Sequence, residues 1–349
     1  MRQALLGARE KRELIITLPE SGRPPLSPDQ VLVLRIEYTL KNPKWGVAFL
    51  KLLGKEYVQV HAAAVAGMGR CWIPCFEEAS VPWDLEYHFS LDGISPSLIA
   101  NLSLVSSGAL CQQFLSPDGK FKIFKFELDI PTFPSLICFA AGLFDSVKIP
   151  AAPFAMALAP LGTATKLTLA MEFFSRAFGF VNWHLATSFP YPSYYVVFLK
   201  DVVAMDGILS GANVSIYSSL NLFESSIIDQ NLVTRRLLSI GLVSQYFGVR
   251  LRPDDSSSRW LTTGIGGYLS RLLLRVFHGH NDYRYGIKKH MAAVVEVDSG
   301  HGPLTEIPDV FANPADEEWF HLKSSLALFI LENRLEKGVL QKVFSSKHV

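Results

Sequence analysis

The feature that most constrains this chain is an apolar run at residues 237–249, LLSIGLVSQYFGV. Together with the residues before it, the run continues a helical pattern, DQNLVTRRLLSIGLVSQYFG. A helix this rich in apolar residues has to be covered on several sides, so the pattern predicts a helix buried inside a domain.

Composition favours a folded chain with a well-filled interior or with buried partner surfaces. The 349 residues suffice for two or three domains, and 49% of them are hydrophobic against 19% charged. The formal net charge of +1 gives no global attraction to nucleic acid or membrane. Residues 235–290, however, contain ten Lys or Arg against three acids, so the positive charge is local.

The cysteines and the uncharged runs point away from the secreted and membrane classes. Cys71, Cys75, Cys111 and Cys138 form no paired framework, and they indicate free thiols in a reducing compartment. The N-terminal segment MRQALLGAREKREL lacks the apolar core of a secretion signal. Residues 93–117 are too polar, and residues 149–165 too rich in proline, to cross a membrane.

The period of the apolar residues changes near residue 150. Before it, alternation predicts an antiparallel β domain with strands that include residues 31–40, 83–92 and 121–129. After a Pro-rich hinge, helical and strand patterns mix. The predicted elements there are a helix at 166–179 closed by Gly179, strands at 194–203 and 212–219, and helices at 229–248, 260–279 and 320–338. We therefore predict a β-rich domain over 1–150 and an α/β domain over 151–349.

Several short motifs carry a resemblance to the gluzincin aminopeptidases. They are WIPCFEE at 72–78, FPYP at 189–192, QYFG at 245–248 and WL at 260–261. The resemblance implies an α+β multidomain fold, with an antiparallel β domain followed by a thermolysin-like, aminopeptidase-like α/β domain.

The residues that give those enzymes their chemistry are missing here. The family places H-E-x-x-H before the QYFG position, where two His hold Zn²⁺ and the intervening Glu is the general base. Counting back from Gly248 assigns the two His positions to Ile240 and Ser244 and the base position to Gly241. Thr263 takes the place of the third ligand, and Ser210 that of the Glu that binds the substrate's amino terminus. Ile has no lone pair, and the neutral hydroxyls of Ser and Thr are poor ligands for zinc. The resemblance therefore predicts no metal, no cofactor, no small-molecule substrate and no catalysis.

Packing is expected to stabilise the helix in place of the metal. Burying Ile240 would contribute about 1.5–3 kcal/mol. Gly241 costs about 1 kcal/mol relative to Ala inside a helix, which predicts close contact with a neighbour. The glycines of GIGG at 264–267 are likewise expected to allow close helix packing rather than to form a phosphate loop.

Among inactive relatives of these enzymes, the chain resembles the TFIID subunit 2 family of TATA-binding-protein-associated factors. The motifs that carry this resemblance are KWGV at 44–47, SIID at 226–229, LVTRR at 232–236 and LENR at 331–334. It extends over about residues 12–345, and the chain is expected to lack the family's first strands and its C-terminal helical repeats. The resemblance implies a nuclear, non-enzymatic scaffold in transcription initiation. Its implied partners are other TFIID subunits, the TATA-binding protein and promoter DNA.

The basic segment offers candidate contacts to DNA phosphates. The candidates are Arg250, Arg252, Arg259, Lys288 and Lys289. The alternative interpretation is that these cations lie on solvated helix faces or pair with acids such as those at 316–318.

Two other functions are compatible with the sequence. One is a residual zinc hydrolase with a relocated site. Its candidate residues are the His cluster of HGHND, residues 278–282, and His184 near the predicted cleft, although HGHND is also typical of a polar loop. The other is an inactive peptidase relative that binds extended peptides outside transcription by strand addition.

Overall fold

The computed structural model describes residues 31–51, 58–62, 69–202, 207–253, 255–306 and 314–345. The strands within these ranges are β1 Val47–Lys51, β2 Val58–Ala62, β3 Val81–Ser90, β4 Leu102–Ser106, β5 Ala109–Leu115, β6 Phe121–Thr132, β7 Phe139–Lys148, β8 Ala155–Pro160, β9 Tyr194–Leu199, β10 Ile208–Gly211 and β11 Val214–Ser218. The helices are α1 Ala164–Met171, α2 Phe174–Leu185, α3 Ile228–Ser244, α4 Arg259–His278, α5 His280–Val297, α6 Pro314–Arg334 and α7 Val339–Phe344. The N-terminal segment examined for a secretion signal lies outside the described residues.

A mixed eight-stranded sheet organises the molecule. Its strand order is β1-β2-β7-β8-β9-β11-β10, and β4 also pairs with β7. Strand β9 is parallel to both β8 and β11, whereas the other pairs are antiparallel. A second, antiparallel sheet has the order β3-β6-β5. The chain is thus a mixed α/β structure in which the strands before residue 150 pair antiparallel, as the sequence predicts.

Strand β9, YYVVFL, lies between two hydrophobic cores. Tyr194, Val196 and Phe198 contribute to the core shared with the helices. Tyr195, Val197 and Leu199 contribute to the core shared with the β3-β6-β5 sheet. All six side chains are buried, which explains why this strand is a continuous apolar run without polar alternation.

The strand predictions succeed where a partner strand exists. The patterns at 83–92 and 121–129 correspond to β3 and β6, which pair with each other over most of their length. The prediction for 31–40 is wrong, since these residues have no regular structure and Val33 is 92% exposed. Alternation alone does not make a strand when no neighbour accepts its backbone hydrogen bonds.

The helix predictions need two corrections. The pattern at 166–179 corresponds to two helices, α1 and α2, and Gly179 lies inside α2. Helix α2 ends instead at Leu185, and the next residue, Ala186, caps it with a left-handed φ of 50°. The apolar period continues past Gly179 through Val181 and Leu185, which are buried, and this explains the longer helix.

The second correction concerns HGHND, which is not a polar loop. His278 ends α4, Gly279 has a φ of 88°, and His280 begins α5. The sequence pattern did not predict α5 because only Tyr283, Ile287 and Val294 of its 18 residues are buried.

The core is continuous across the predicted boundary at residue 150. Strand β7, before the boundary, pairs with β8, after it, from Phe144 to Lys148. The division into domains over 1–150 and 151–349 stays a prediction. Within the described ranges, no helix combines the length and apolarity needed to traverse a bilayer.

Asn213 joins three parts of this fold. It is fully buried in the turn between β10 and β11, with a left-handed φ of 53°. Its Oδ1 accepts a hydrogen bond from the Gly108 backbone N–H at 2.7 Å. Its Nδ2 donates to the Gly108 carbonyl at 2.9 Å and to Ser193 Oγ at 2.8 Å. The turn before β5 and the start of β9 are thereby held to the turn that precedes β11.

Replacing the Asn213 side chain should lower the free energy of unfolding by more than its left-handed backbone conformation alone would explain. We expect Asn213→Ala to lower the free energy of unfolding by about 2–4 kcal/mol, because it strands buried polar groups. Asn42→Ala is the matched control, since Asn42 is exposed and has a similar φ of 47°. Its cost should be about 1 kcal/mol from left-handed strain. Equal losses in urea unfolding of the two variants would contradict the assignment.

Candidate functional site

Helix α3 is the predicted buried helix, and its second half packs into the main core. Leu238, Leu242 and Val243 are fully buried there. Gln245, immediately after the helix, is also fully buried, and its Nε2 donates to the Gly211 carbonyl at 3.1 Å. The polar residue of the QYFG motif therefore fixes the end of α3 to the β10–β11 hairpin.

Gly241, at the predicted base position, is in contact with the phenol of Tyr217 on β11. A Cβ at position 241 would lie 1.9 Å from Tyr217 Oη and 2.5 Å from Ile208 Cδ1. Any side chain larger than hydrogen would overlap these atoms. The expected close contact at Gly241 is confirmed, and the residue that makes it, Tyr217, was not predicted from the sequence.

The Tyr217 phenol is a buried polar group in an apolar setting. Its ring stacks on Phe198 with centroids 5.2 Å apart. Its hydroxyl has no hydrogen-bond partner among the residues that the structure describes. Burial, and then the neighbouring Tyr194, raise the pKa of Tyr217 well above its usual value, so the phenol is neutral.

The structure brings two of the predicted vestigial positions together. Ser244 Oγ lies 2.9 Å from Ser210 Oγ on β10 and 2.9 Å from the Gly241 carbonyl oxygen. The aminopeptidase resemblance assigns Ser244 to a zinc-ligand position and Ser210 to the position that binds the substrate's amino terminus. Both are neutral hydroxyls, and Ser244 donates to Ser210 across the contact between helix and strand.

Ile240 and Thr263 are less central than expected. Ile240 on α3 and Thr263 on α4 are both half-buried. Ile240 therefore stabilises the fold by less than a fully buried Ile side chain would. Within the described part of the chain, Thr263 makes no hydrogen bond to Ser210 or Ser244. The zinc that the aminopeptidase resemblance implies does not fit here, because these positions supply an alkyl group and neutral hydroxyls, with Tyr217 beside them.

The glycines of GIGG lie in α4 and allow it to approach α6. A Cβ at Gly264 would lie 2.6 Å from the Ser324 carbonyl oxygen, and one at Gly267 would lie 2.9 Å from Ser325 Cβ. Gly266 meets only the Phe247 carbonyl, at 3.9 Å. The expected close packing is confirmed for two of the three glycines.

The predicted DNA-binding residues lie in different surroundings. Arg250 and Lys288 are exposed, and Lys289 lies 5.8 Å from the Tyr285 ring centroid. Arg252 stacks over Phe133 at 4.7 Å. Arg259 lies 3.9 Å from a Glu317 carboxylate oxygen and 5.3 Å from the Phe320 ring centroid, so it pairs with an acid on α6. DNA binding by this set stays a prediction.

The histidines of the proposed relocated site face different neighbours. His278 Nδ1 lies 3.6 Å from an Asp282 carboxylate oxygen, whereas His280 stacks on Tyr283. His184 is buried against Phe180, and burial, with the charge of Arg275, lowers its pKa. Across the described ranges, no three His, Cys, Asp or Glu side chains gather closely enough to hold a metal.

Comparison with known proteins gives a consistent result. No protein-family model matches the chain. The chain is 28% identical to transcription initiation factor TFIID subunit 2 of Drosophila melanogaster over 300 residues, which are 84% of this chain and 24% of that protein. It is 26% identical to the same subunit of Gallus gallus over 366 residues, 95% of this chain and 30% of that protein. It is 27% identical to the same subunit of Danio rerio over 349 residues, which are 90% of this chain and 28% of that protein. The chain thus spans less than a third of the length of these relatives.

The contact at Gly241 yields a stability prediction. We expect Gly241→Ala to lower the free energy of unfolding by about 1–3 kcal/mol through overpacking against Tyr217, despite the better helix propensity of Ala. Gly266→Ala in α4 is the matched control and should be neutral or stabilising by up to about 1 kcal/mol. Adding Tyr217→Phe should reduce the cost of Gly241→Ala. Equal costs with and without Tyr217→Phe in chemical denaturation would refute the overpacking account.

Proposed function

We propose that this chain, which belongs to the TFIID subunit 2 family, is a non-enzymatic scaffold in the general transcription factor TFIID. It would act in the nucleus at RNA polymerase II promoters, in promoter recognition and preinitiation complex assembly. Its partners would be other TFIID subunits, the TATA-binding protein and promoter DNA.

The observation that carries the non-enzymatic part is the Tyr217 phenol beside Gly241. A general base at position 241 would have to occupy the space that the phenol fills. Ser210 and Ser244 hydrogen bond to each other and offer no charge to a substrate's amino terminus or to a metal. These contacts support an aminopeptidase-like fold that has lost its catalytic groups and retained its packing.

A single purification tests both the partner and the enzyme parts of this proposal. We expect the affinity-tagged protein, isolated from nuclear extract of its native cells, to recover the TATA-binding protein and other TFIID subunits. The same protein, purified alone, should contain substoichiometric zinc and should not hydrolyse aminoacyl amides. Turnover that chelators abolish would establish the residual hydrolase instead. Recovery of peptide-transport or processing proteins without TFIID subunits would favour the peptide-binding alternative.

The DNA part has its own test at Arg250 and Arg252. We expect the double change to Ala to weaken binding of promoter DNA and to reduce the slope of log affinity against log salt by about 2, because each phosphate contact contributes about 0.9. Arg259→Ala should chiefly lower stability, since Arg259 pairs with Glu317. The exposed Arg176 on α2, outside the basic segment, provides a control substitution of equal charge. An unchanged salt slope in the double variant would exclude these two residues.

A further inference from the structure

A guanidinium on α4 is enclosed between helices without an acidic partner. Arg271 is half-buried, and its Nη1 lies 2.6 Å from where a Cβ of Gly286 on α5 would be. Its Nη2 contacts both ring nitrogens of His290, which lies one turn further along α5. The missing side chain at Gly286 therefore makes room for the guanidinium, and His290 holds its end.

The surroundings of Arg271 are positively charged. Helix α3 contacts α4 next to Arg271, where Ser270 Oγ donates to the Ser239 carbonyl oxygen at 3.3 Å, and Arg236 lies one turn before Ser239. Lys289 is the chain neighbour of His290 on α5. The charges of Arg236 and Lys289 both act on His290, and that of Arg236 also acts on Arg271. In the part of the chain that the structure describes, none of these three cations has a carboxylate within 4.0 Å. Asp282 also acts on Arg271, but its carboxylate is the one that lies against His278.

The protonation states follow from this arrangement. Burial, and then Arg236, lower the pKa of Arg271 to about 10, so the guanidinium remains charged at neutral pH. Burial, followed by Arg271, Arg236 and Lys289, lowers the pKa of His290 to about 3. His290 is therefore neutral and accepts a hydrogen bond from Arg271 without adding a charge. Enclosed charges are ordinarily paired, because an unpaired one loses hydration without compensation.

We propose that Arg271, Arg236 and Lys289 bind one anionic side chain, a carboxylate or a phosphorylated hydroxyl, on an acidic segment of a protein partner. Arg271 would bind the oxyanion through the two parallel N–H groups of its fork. Its orientation is already fixed by Gly286 and His290, so little entropy is lost on binding. Arg236 is exposed, as is Lys289, and both would close over the anion from α3 and α5.

The flanking charges favour a peptide over a nucleic acid. Asp282 and Glu296 are exposed and lie on the same side of α5 as Gly286 and Lys289, at helical spacings of three, four and seven residues. Duplex DNA carries one negative charge per about 1.7 Å, so a backbone along this face would meet those carboxylates. In an extended peptide with Glu at alternate positions, the carboxylates are spaced by roughly 7 Å, so one can reach Arg271 with fewer approaches to these acids than a duplex backbone would make. The inference concerns a different surface from Arg250 and Arg252, and it does not depend on the partner being a TFIID subunit.

The test uses a fluorescent peptide in which Glu alternates with Gly, a version with phosphoserine for Glu and a neutral version with Gln. We expect the purified chain to bind both anionic peptides and not the neutral one. Arg271→Gln should weaken binding by about tenfold or more, the loss typical of a charge-assisted pair. Arg236→Gln and Lys289→Gln, at exposed positions that leave folding intact, should each weaken it several-fold.

Arg284→Gln is the matched control, because it removes one charge from the exposed opposite side of α5. It should leave peptide affinity unchanged. The proposal fails if the anionic and neutral peptides bind alike, or if the three cluster variants behave as Arg284→Gln does. It also fails if these variants lose affinity for duplex DNA while peptide binding is unaffected. Thermal unfolding of each variant shows whether it is folded. If Arg271→Gln is misfolded, the peptide affinities of Arg236→Gln and Lys289→Gln decide the result.

Discussion

The contact of the Tyr217 phenol with the backbone of Gly241 determines how α3 lies on the sheet. A helix can approach a strand this closely only where it lacks a Cβ, and the phenol then takes the vacated volume. Beneath it, Tyr194 Oη donates to Ser215 Oγ at 2.9 Å, and Gln245 holds the end of the helix. Ser210, Gly241 and Ser244 are thus arranged by packing on one side and by neutral hydrogen bonds on the other.

This arrangement identifies what stabilises α3. Leu238, Leu242 and Val243 stabilise the helix through the core, whereas Ile240 contributes less because it is half-buried. Stabilising the helix does not require Ile240 and Ser244 themselves to be fully buried. It requires the volume between helix and strand to be filled, and an aromatic ring from the neighbouring strand fills it.

Elements with strong apolar periodicity were predicted from the sequence. Elements and contacts that depend on tertiary partners were not. Apolar spacing predicts helices α3, α4 and α6 and strands β3 and β6, and short apolar runs predict β9 and β11. Helix α5 did not, because three buried residues give almost no periodic signal. The close contact at Gly241 was predictable from the cost of glycine in a helix. Its partner Tyr217 was not, since residues 24 positions apart in sequence meet only through the fold, and the same holds for Arg271 and His290.

Strand β9 has a consequence for biogenesis. The apolar face of the β3-β6-β5 sheet is complete once residue 132 has been synthesised, yet the strands that cover it include β9 and β11, which end at residue 218. During translation this surface is therefore exposed while more than eighty further residues are added. Transiently exposed apolar surface makes an incomplete chain prone to aggregation, so the time needed to synthesise that interval bears on the yield of folded protein.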